Sequence, residues 1–418
     1  MAELAMFSFW KDADSKARRA LVAASLGWML DSFDVMLYAL VVQSVMSDLV
    51  FDAATGGRLQ SYTLLASAAG GLVFGVIADR FGRTRALILS VLIYSVFTAA
   101  CGLAQSALQL AVFRVCLGIG MGGEWASGAA LVSETWPDRH RAKALAFVQS
   151  AWAIGFALAA VVSYLVQSVA GLSWRAVFFV GILPALATLW IRRRVHEPEI
   201  WQRHRRERPP SDRGILTRTL AGLGGPRLRF TAALSLLSSC TLFAYWGFNT
   251  WVPTYLSASP ANGGIGLAAS AMTALIVANQ CGTWFGYVTF GYVADALGRR
   301  RAYVGYLLAA AVLIWAYTAV RQPWALLALG PVASFFATGH FSGFGTVSAE
   351  LYPTEVRATA QAFTYNVGRI ASAYAPWLVG ALAETHGFPA ALSVTAAAFV
   401  LAAACWIVLP ETRGRAIT

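Results

Sequence analysis

Seven residues recur along this chain at one fixed offset. Gly75, Asp79, Gly82 and Arg83 return 216 positions later as Gly291, Asp295, Gly298 and Arg299, and Glu134, Pro137 and Arg141 return as Glu350, Pro353 and Arg357. The stretches between them share little, so the loops have stayed in register while the segments they join diverged. Chance recurrence of common loop residues would not hold one offset at seven positions. A chain of 418 residues with this pattern folds as two similar halves.

The halves belong in a membrane. Hydrophobic residues make up 58% of the chain and charged residues 12%, about half the charge of a typical soluble domain. Twelve apolar stretches, centred near residues 33, 67, 95, 120, 156, 183, 243, 279, 310, 337, 372 and 399, are each long enough to cross roughly 30 Å of hydrocarbon. The expected fold is an all-α membrane protein of twelve transmembrane helices in two six-helix halves. Residues 1–191 form the N-terminal bundle, 192–229 a cytoplasmic linker and 230–418 the C-terminal bundle. No short apolar segment precedes a small-residue cleavage site, so no cleaved signal peptide is expected.

A net charge of +12 suggests nucleic acid until the charges are placed. With a cytoplasmic N-terminus, 27 of the 32 Lys and Arg residues fall on the cytoplasmic side, and only Arg58, Arg175 and Arg321 fall on the other. Arg114 and Arg369 lie within spans. This asymmetry follows the positive-inside rule, with both termini cytoplasmic and a bacterial inner membrane as the expected location. The linker holds 11 arginines and four acids and serves chiefly to fix topology. The five cysteines are dispersed within spans, which gives no disulfide, metal or cofactor signal. Nucleotide-binding loops and nucleophile elbows are absent from the sequence, so an enzyme is not expected. The expected partners are the lipid bilayer, a small molecule and protons, with no nucleic acid, around a monomer.

The loop Gly75-Val-Ile-Ala-Asp79-Arg80-Phe-Gly82-Arg83 joins spans two and three. Glycine permits close helix approach, and an acid at a helix end can pair with arginine or accept from amides. The loop resembles the signature loop of the major facilitator superfamily. The resemblance covers the whole chain, because Gly291, Asp295 and Arg299 repeat it and both Glu-x-x-Pro-x-x-x-Arg loops match; Ala296 replaces the arginine found at Arg80. It implies a conformational latch of Gly75, Asp79, Arg80, Arg83, Glu134 and Arg141 in one half and Gly291, Asp295, Arg299, Glu350 and Arg357 in the other. Arg114 to Trp125, Asp31-Ser-Phe-Asp34, Trp174 to Pro184 and Asn366-Val-Gly-Arg369 are similar to segments of the sialate, monocarboxylate and metabolite:proton symporters. Asp31-Ser-Phe-Asp34 also resembles aromatic-acid:proton symporters. The Gly-Pro pair of many drug antiporters is missing from span five, and Pro410 to Gly414 resembles sugar porters. The resemblance implies proton-coupled symport of a small organic anion by alternating access. A monocarboxylate or sialate-type acid leads, with aromatic acids next and a neutral sugar or zwitterion as the alternative.

Five ionisable residues sit deep in spans: Asp31, Asp34, Arg114, Glu124 and Arg369. Each charge costs about 2.5–3.5 kcal/mol at the centre of a helix in lipid, so these residues must face a wet cavity or one another. Asp31 and Asp34 share one face of span one with Gly27 and Tyr38. The proton-coupling set is Asp31, Asp34, Glu124 and Arg114; a structural acceptor role for either aspartate, or an ion pair from Arg114 to span one, is the plainer reading. Arg369 is the expected anion contact, since its fork matches a carboxylate. Tyr38, Gln149, Trp152, Tyr245, Asn249, Gln280, His340 and Asn366 complete the substrate set, although Tyr and Trp often only pack and a lone His is usually a core residue.

Overall fold

The computed structural model describes residue 10 and residues 13–136, 140–195, 197, 227–352 and 354–413. The side chains of Asp79, Ala126, Arg141, Ala142, Arg192 and residues 354–359 lie outside that description. So do Pro137, Pro353, Gly414 and nearly all of the linker, and with them the latch roles expected for Asp79, Arg141 and Arg357.

Among the described residues every regular element is helical. The first half consists of α1 (Ser15–Leu49), α2 (Ala53–Phe81), α3 (Arg83–Cys101), α4 (Ala107–Thr135), α5 (Arg141–Tyr164) and a sixth pass made of α6 (Trp174–Val180) and α7 (Pro184–Arg194). The second half consists of α8 (Leu228–Ser257), α9 (Ala269–Leu297), α10 (Arg299–Ala319), a tenth pass made of α11 (Pro323–Gly339) and α12 (Phe341–Leu351), then α13 (Thr354–Ser372) and α14 (Tyr374–Ala404). Ten stretches are long and apolar enough to cross a membrane, and the last, Ala360–Ile407, runs for 48 residues. It is broken at Gly387, whose φ of 78° turns the chain between two passes. The 29-residue α9 supplies the remaining pass, which gives twelve passes in two halves among the described residues.

Short polar residues start the first two helices. Asp14 accepts from the Ala17 amide at 2.7 Å and Asp52 from the Thr55 amide at 2.8 Å, each capping donors that the first turn leaves free. Pro376 breaks the eleventh pass. It cannot donate to the carbonyl four residues back, and the helix lapses at Ala373, between α13 and α14.

The close helix contacts fall at Gly118 and Gly122, where α4 lies backbone to backbone on α2 at Thr63 and Ser67. Gly75 and Gly291, expected to serve such contacts, have none: a Cβ on either would meet nothing within 4 Å. The halves close on each other at the end opposite the repeated loops. Gly57 lies against the Pro376 backbone and Gly380 against Ala53. Glu384 accepts from the Ala54 amide at 2.9 Å, and Ser257 donates to Gln43 at 2.9 Å.

Candidate functional site

Three carboxyl groups gather inside the first half. Asp31, Asp34 and Glu124 are each 1% exposed. Both oxygens of Asp31 and of Glu124 lack a hydrogen-bond partner among the described residues. Asp34 is partly satisfied, accepting from Thr98 at 3.1 Å. The Glu124 carboxylate fills the space beside Gly27, where a side chain on that residue would collide with it. Gly27 therefore belongs to the stripe because α1 must admit an acid from α4.

Arg369 reaches this group from the other half. It is 8% exposed, its guanidinium lies 5.8 Å from the Tyr365 ring, and it makes no direct ion pair among the described residues. Its charge acts on both Asp31 and Glu124, whereas the neighbours that act on Asp34 are Thr98 and Asp31.

Arg114 does not join them. Its guanidinium stacks 4.0 Å from the centroid of the Tyr38 ring, donates to the Leu59 carbonyl at 3.4 Å and to Gln60, and pairs with no acid among the described residues. The contact with span one is thus through a ring rather than a carboxylate.

Between the halves is a narrow, partly open cavity of about 30 Å³, with Arg369, Gln149 and aromatic rings in its wall. The rings are interlocked. Trp28 lies 4.7 Å from both Trp125 and Trp152, Trp152 lies 6.0 Å from Trp246, and Tyr245 lies 5.9 Å from Phe341. Trp152 Nε1 donates to the Tyr245 hydroxyl across the two halves. Two polar atoms of the wall are buried without partners, Trp28 Nε1 and Gln149 Oε1.

Of the substrate set, Arg369, Gln149, Trp152 and Tyr245 line this cavity and five others do not. Tyr38 lies beneath Arg114 and donates to the Gly56 carbonyl at 2.8 Å. Asn249 donates to its own helix and lines a separate cavity inside the second half with Asn279 and Thr283. Gln280 is buried with its carbonyl oxygen unpartnered. His340 sits at the break between α11 and α12, with its ring 4.5 Å from that of Phe341 and outside the cavity lining. Asn366 donates back to Ala362 at 2.9 Å.

Trp28, Tyr287, Phe341 and Tyr365 also line the cavity and were not singled out in the sequence. Two carried a signal. Trp28 precedes Asp31 by three residues and Tyr365 precedes Arg369 by four, the spacings that share a helix face.

The repeated loops form matching ion pairs. Arg83 donates to Glu134 at 2.9 Å, and Arg299 donates to Glu350 at 3.2 Å and also to Asp295. Each loop glycine is left-handed, Gly82 at φ 118° and Gly298 at φ 95°, and an acid from the end of its own half closes over it. Glu197 accepts from the Thr84 and Arg85 amides at 3.2 Å each, and Glu411 from Arg299 and Arg300 at 2.9 and 3.1 Å. These two acids were not expected.

The sequence profile of the Major Facilitator Superfamily matches residues 24–278 and 259–418. The chain is 34% identical to a Haemophilus influenzae protein named for metabolite transport, over 96% of this chain and 97% of that protein. It is 33% identical to a Cupriavidus pinatubonensis protein named for 4-methylmuconolactone transport, over 99% and 95%. The fold matches that of the E. coli xylose transporter XylE in an inward-open conformation with a TM-score of 0.76 at 19% identity, covering 96% of this chain and 98% of that one. The duplicated loops, the two six-helix halves and these likenesses place the chain in the major facilitator superfamily, whose members are membrane transporters rather than enzymes.

Proposed function

We propose that this protein carries a small organic acid across the membrane together with protons, by alternating access. The observation that supports this best is that Arg369 of one half lies within electrostatic range of the buried Asp31 and Glu124 of the other, with no direct ion pair among the described residues, beside a ring-lined cavity. Arginine is always charged and, without a partner, favours a carboxylate ligand. Ionised Asp31 and Glu124 compete with that ligand for the same guanidinium. Protons on these two acids remove the competition and leave Arg369 to the substrate, so proton and anion bind as one event. Closing the halves around a neutralised site then lets it face the other side.

The cavity wall favours a flat, unsaturated or aromatic acid over a polyhydroxylated sialate-type acid. Rings offer faces for stacking, while Gln149 and the Trp28 N–H add polar atoms without partners among the described residues. Among the relatives, one is named for cis,cis-muconate in Acinetobacter baylyi and another for sialic acid in E. coli. The charge asymmetry supports an inner-membrane orientation with the repeated loops and both termini in the cytoplasm.

A thermal-shift screen of benzoate, muconate, lactate and sialate on purified protein selects the ligand. Uptake of that ligand into proteoliposomes should follow an imposed pH gradient and collapse with an uncoupler. Uptake that only equilibrates, with or without the gradient, would leave a uniporter.

A further inference from the structure

A second place in the molecule carries unbalanced charge, and it lies outside the transport site. At the repeated-loop end of the second half, Arg300, Arg301, Arg413, Glu411, Val304 and Gly305 line an open cleft of about 760 Å³. Glu411 offsets one of these charges but forms no ion pair with the arginines among the described residues. Its carboxylate is taken up by the backbone amides of Arg299, Arg300, Thr412 and Arg413, at 2.9–3.1 Å. Arg299 is committed to Asp295 and Glu350. The exposed guanidinium groups of Arg300, Arg301 and Arg413 therefore pair with no carboxylate among the described residues, and Arg413 is steadied by the Ala296 carbonyl at 2.9 Å.

The internal repeat accounts for only part of this charge. Exposed Arg85 of the first half matches Arg301, but buried Thr84 stands where the second half has exposed Arg300. Gly305 leaves the cleft open, since a Cβ there would meet nothing within 4 Å. Beyond the cleft the outer face of α10 turns apolar. Val304, Leu308 and Val312 follow at four-residue spacing, with Leu308 and Val312 exposed. They span roughly 12 Å of helix, within the ~15 Å depth of one leaflet.

We propose that this cleft binds the headgroup of an anionic phospholipid from the adjoining leaflet. The phosphate lies among Arg300, Arg301 and Arg413, and one acyl chain runs along Val304, Leu308 and Val312. Guanidinium forks match phosphate oxygens, and the apolar stripe fits a chain that free phosphate lacks. The assignment is independent of the transported substrate.

Native mass spectrometry of the detergent-purified full chain tests it, with phosphatidylglycerol, phosphatidylcholine and inorganic phosphate titrated in turn. The unmodified protein should bind one phosphatidylglycerol well ahead of phosphatidylcholine. The triple variant R300A/R301A/R413A should lose affinity for it on the order of 100-fold, and R300K/R301K/R413K should fall between. The single variant Arg301→Gln gives the same reading, at roughly fivefold, should the triple one not fold. Unchanged phosphatidylglycerol binding in these variants overturns the proposal. So does inorganic phosphate binding as tightly as the lipid, which would make the cleft a soluble-anion site.

Discussion

The indole of Trp152, on the fifth pass, donates its N–H to the hydroxyl of Tyr245, on the seventh, and so joins the two halves at the cavity itself. Each residue also packs against Trp246, with centroids 6.0 and 5.5 Å apart. One hydrogen bond and one shared ring therefore bridge parts that alternating access must move past each other.

Tyr245→Phe should remove the bridge and keep the ring. The expected cost to the closed arrangement is about 0.5–1.5 kcal/mol. Stopped-flow tryptophan fluorescence should show faster opening with little change in the thermal midpoint. A large fall in the midpoint would instead mark Tyr245 as core.

Arg369→Lys should keep the charge and lose the fork. Anion affinity should fall by about 2–5 kcal/mol if the contact is buried, as read by thermal shift against ligand concentration. Unchanged affinity in both Arg369→Lys and Arg369→Gln would make the residue structural and favour a neutral substrate.

Coupling should follow Asp31 and Glu124 more than Asp34, because Arg369 acts on the first two while Asp34 is held by Thr98. Asp31→Asn should abolish gradient-driven accumulation and spare substrate exchange. Accumulation surviving in Asp31→Asn and Glu124→Gln but lost in Asp34→Asn would reverse that order.

Glu384 caps α2 from the opposite half, at the end far from the repeated loops. Glu384→Ala should weaken that closure by about 0.5–2 kcal/mol, a typical cap contribution. Thiol labelling of Ser257→Cys, beside Gln43 on the same closure, should then speed up by roughly two- to thirtyfold. An unchanged rate would show that the glycine contacts close this end alone.

Glu411 links pH to the loop it covers. Partial burial pushes its carboxyl upward, but amides from Arg413, Arg299, Arg300 and Thr412 prevail and hold it below its usual 4.5. The folded form thus binds the proton less readily than the unfolded chain. Its stabilisation is complete above 4.5 and lost as pH falls through the lowered value. The protection of the Arg299 and Arg300 amides from hydrogen exchange, taken relative to the intrinsic rate at each pH, should fall as the solution is acidified below 4.5, and Glu411→Ala should show the lower protection at every pH.

The fold was plain in the sequence because its signals are local or periodic: apolar stretches of membrane length and one offset repeated at seven loop positions. The site was only partly legible. Asp31, Glu124 and Arg369 announce themselves by the cost of a charge in lipid, but their partners depend on helix rotation. Arg114 met a tyrosine ring where an acid was expected, and Phe341 and Tyr287 carry no mark that separates a cavity wall from packing. Glu197 and Glu411 escaped notice for another reason. They lie 214 residues apart rather than 216, so two inserted positions hid one shared role.

That shared role bears on how the protein is put together. Each half brings its own acid back to seal its own first loop, so neither borrows its closure from the other. A polypeptide severed anywhere between Glu197 and Arg227 would keep both seals, and two fragments made separately should recombine in the bilayer into a working carrier.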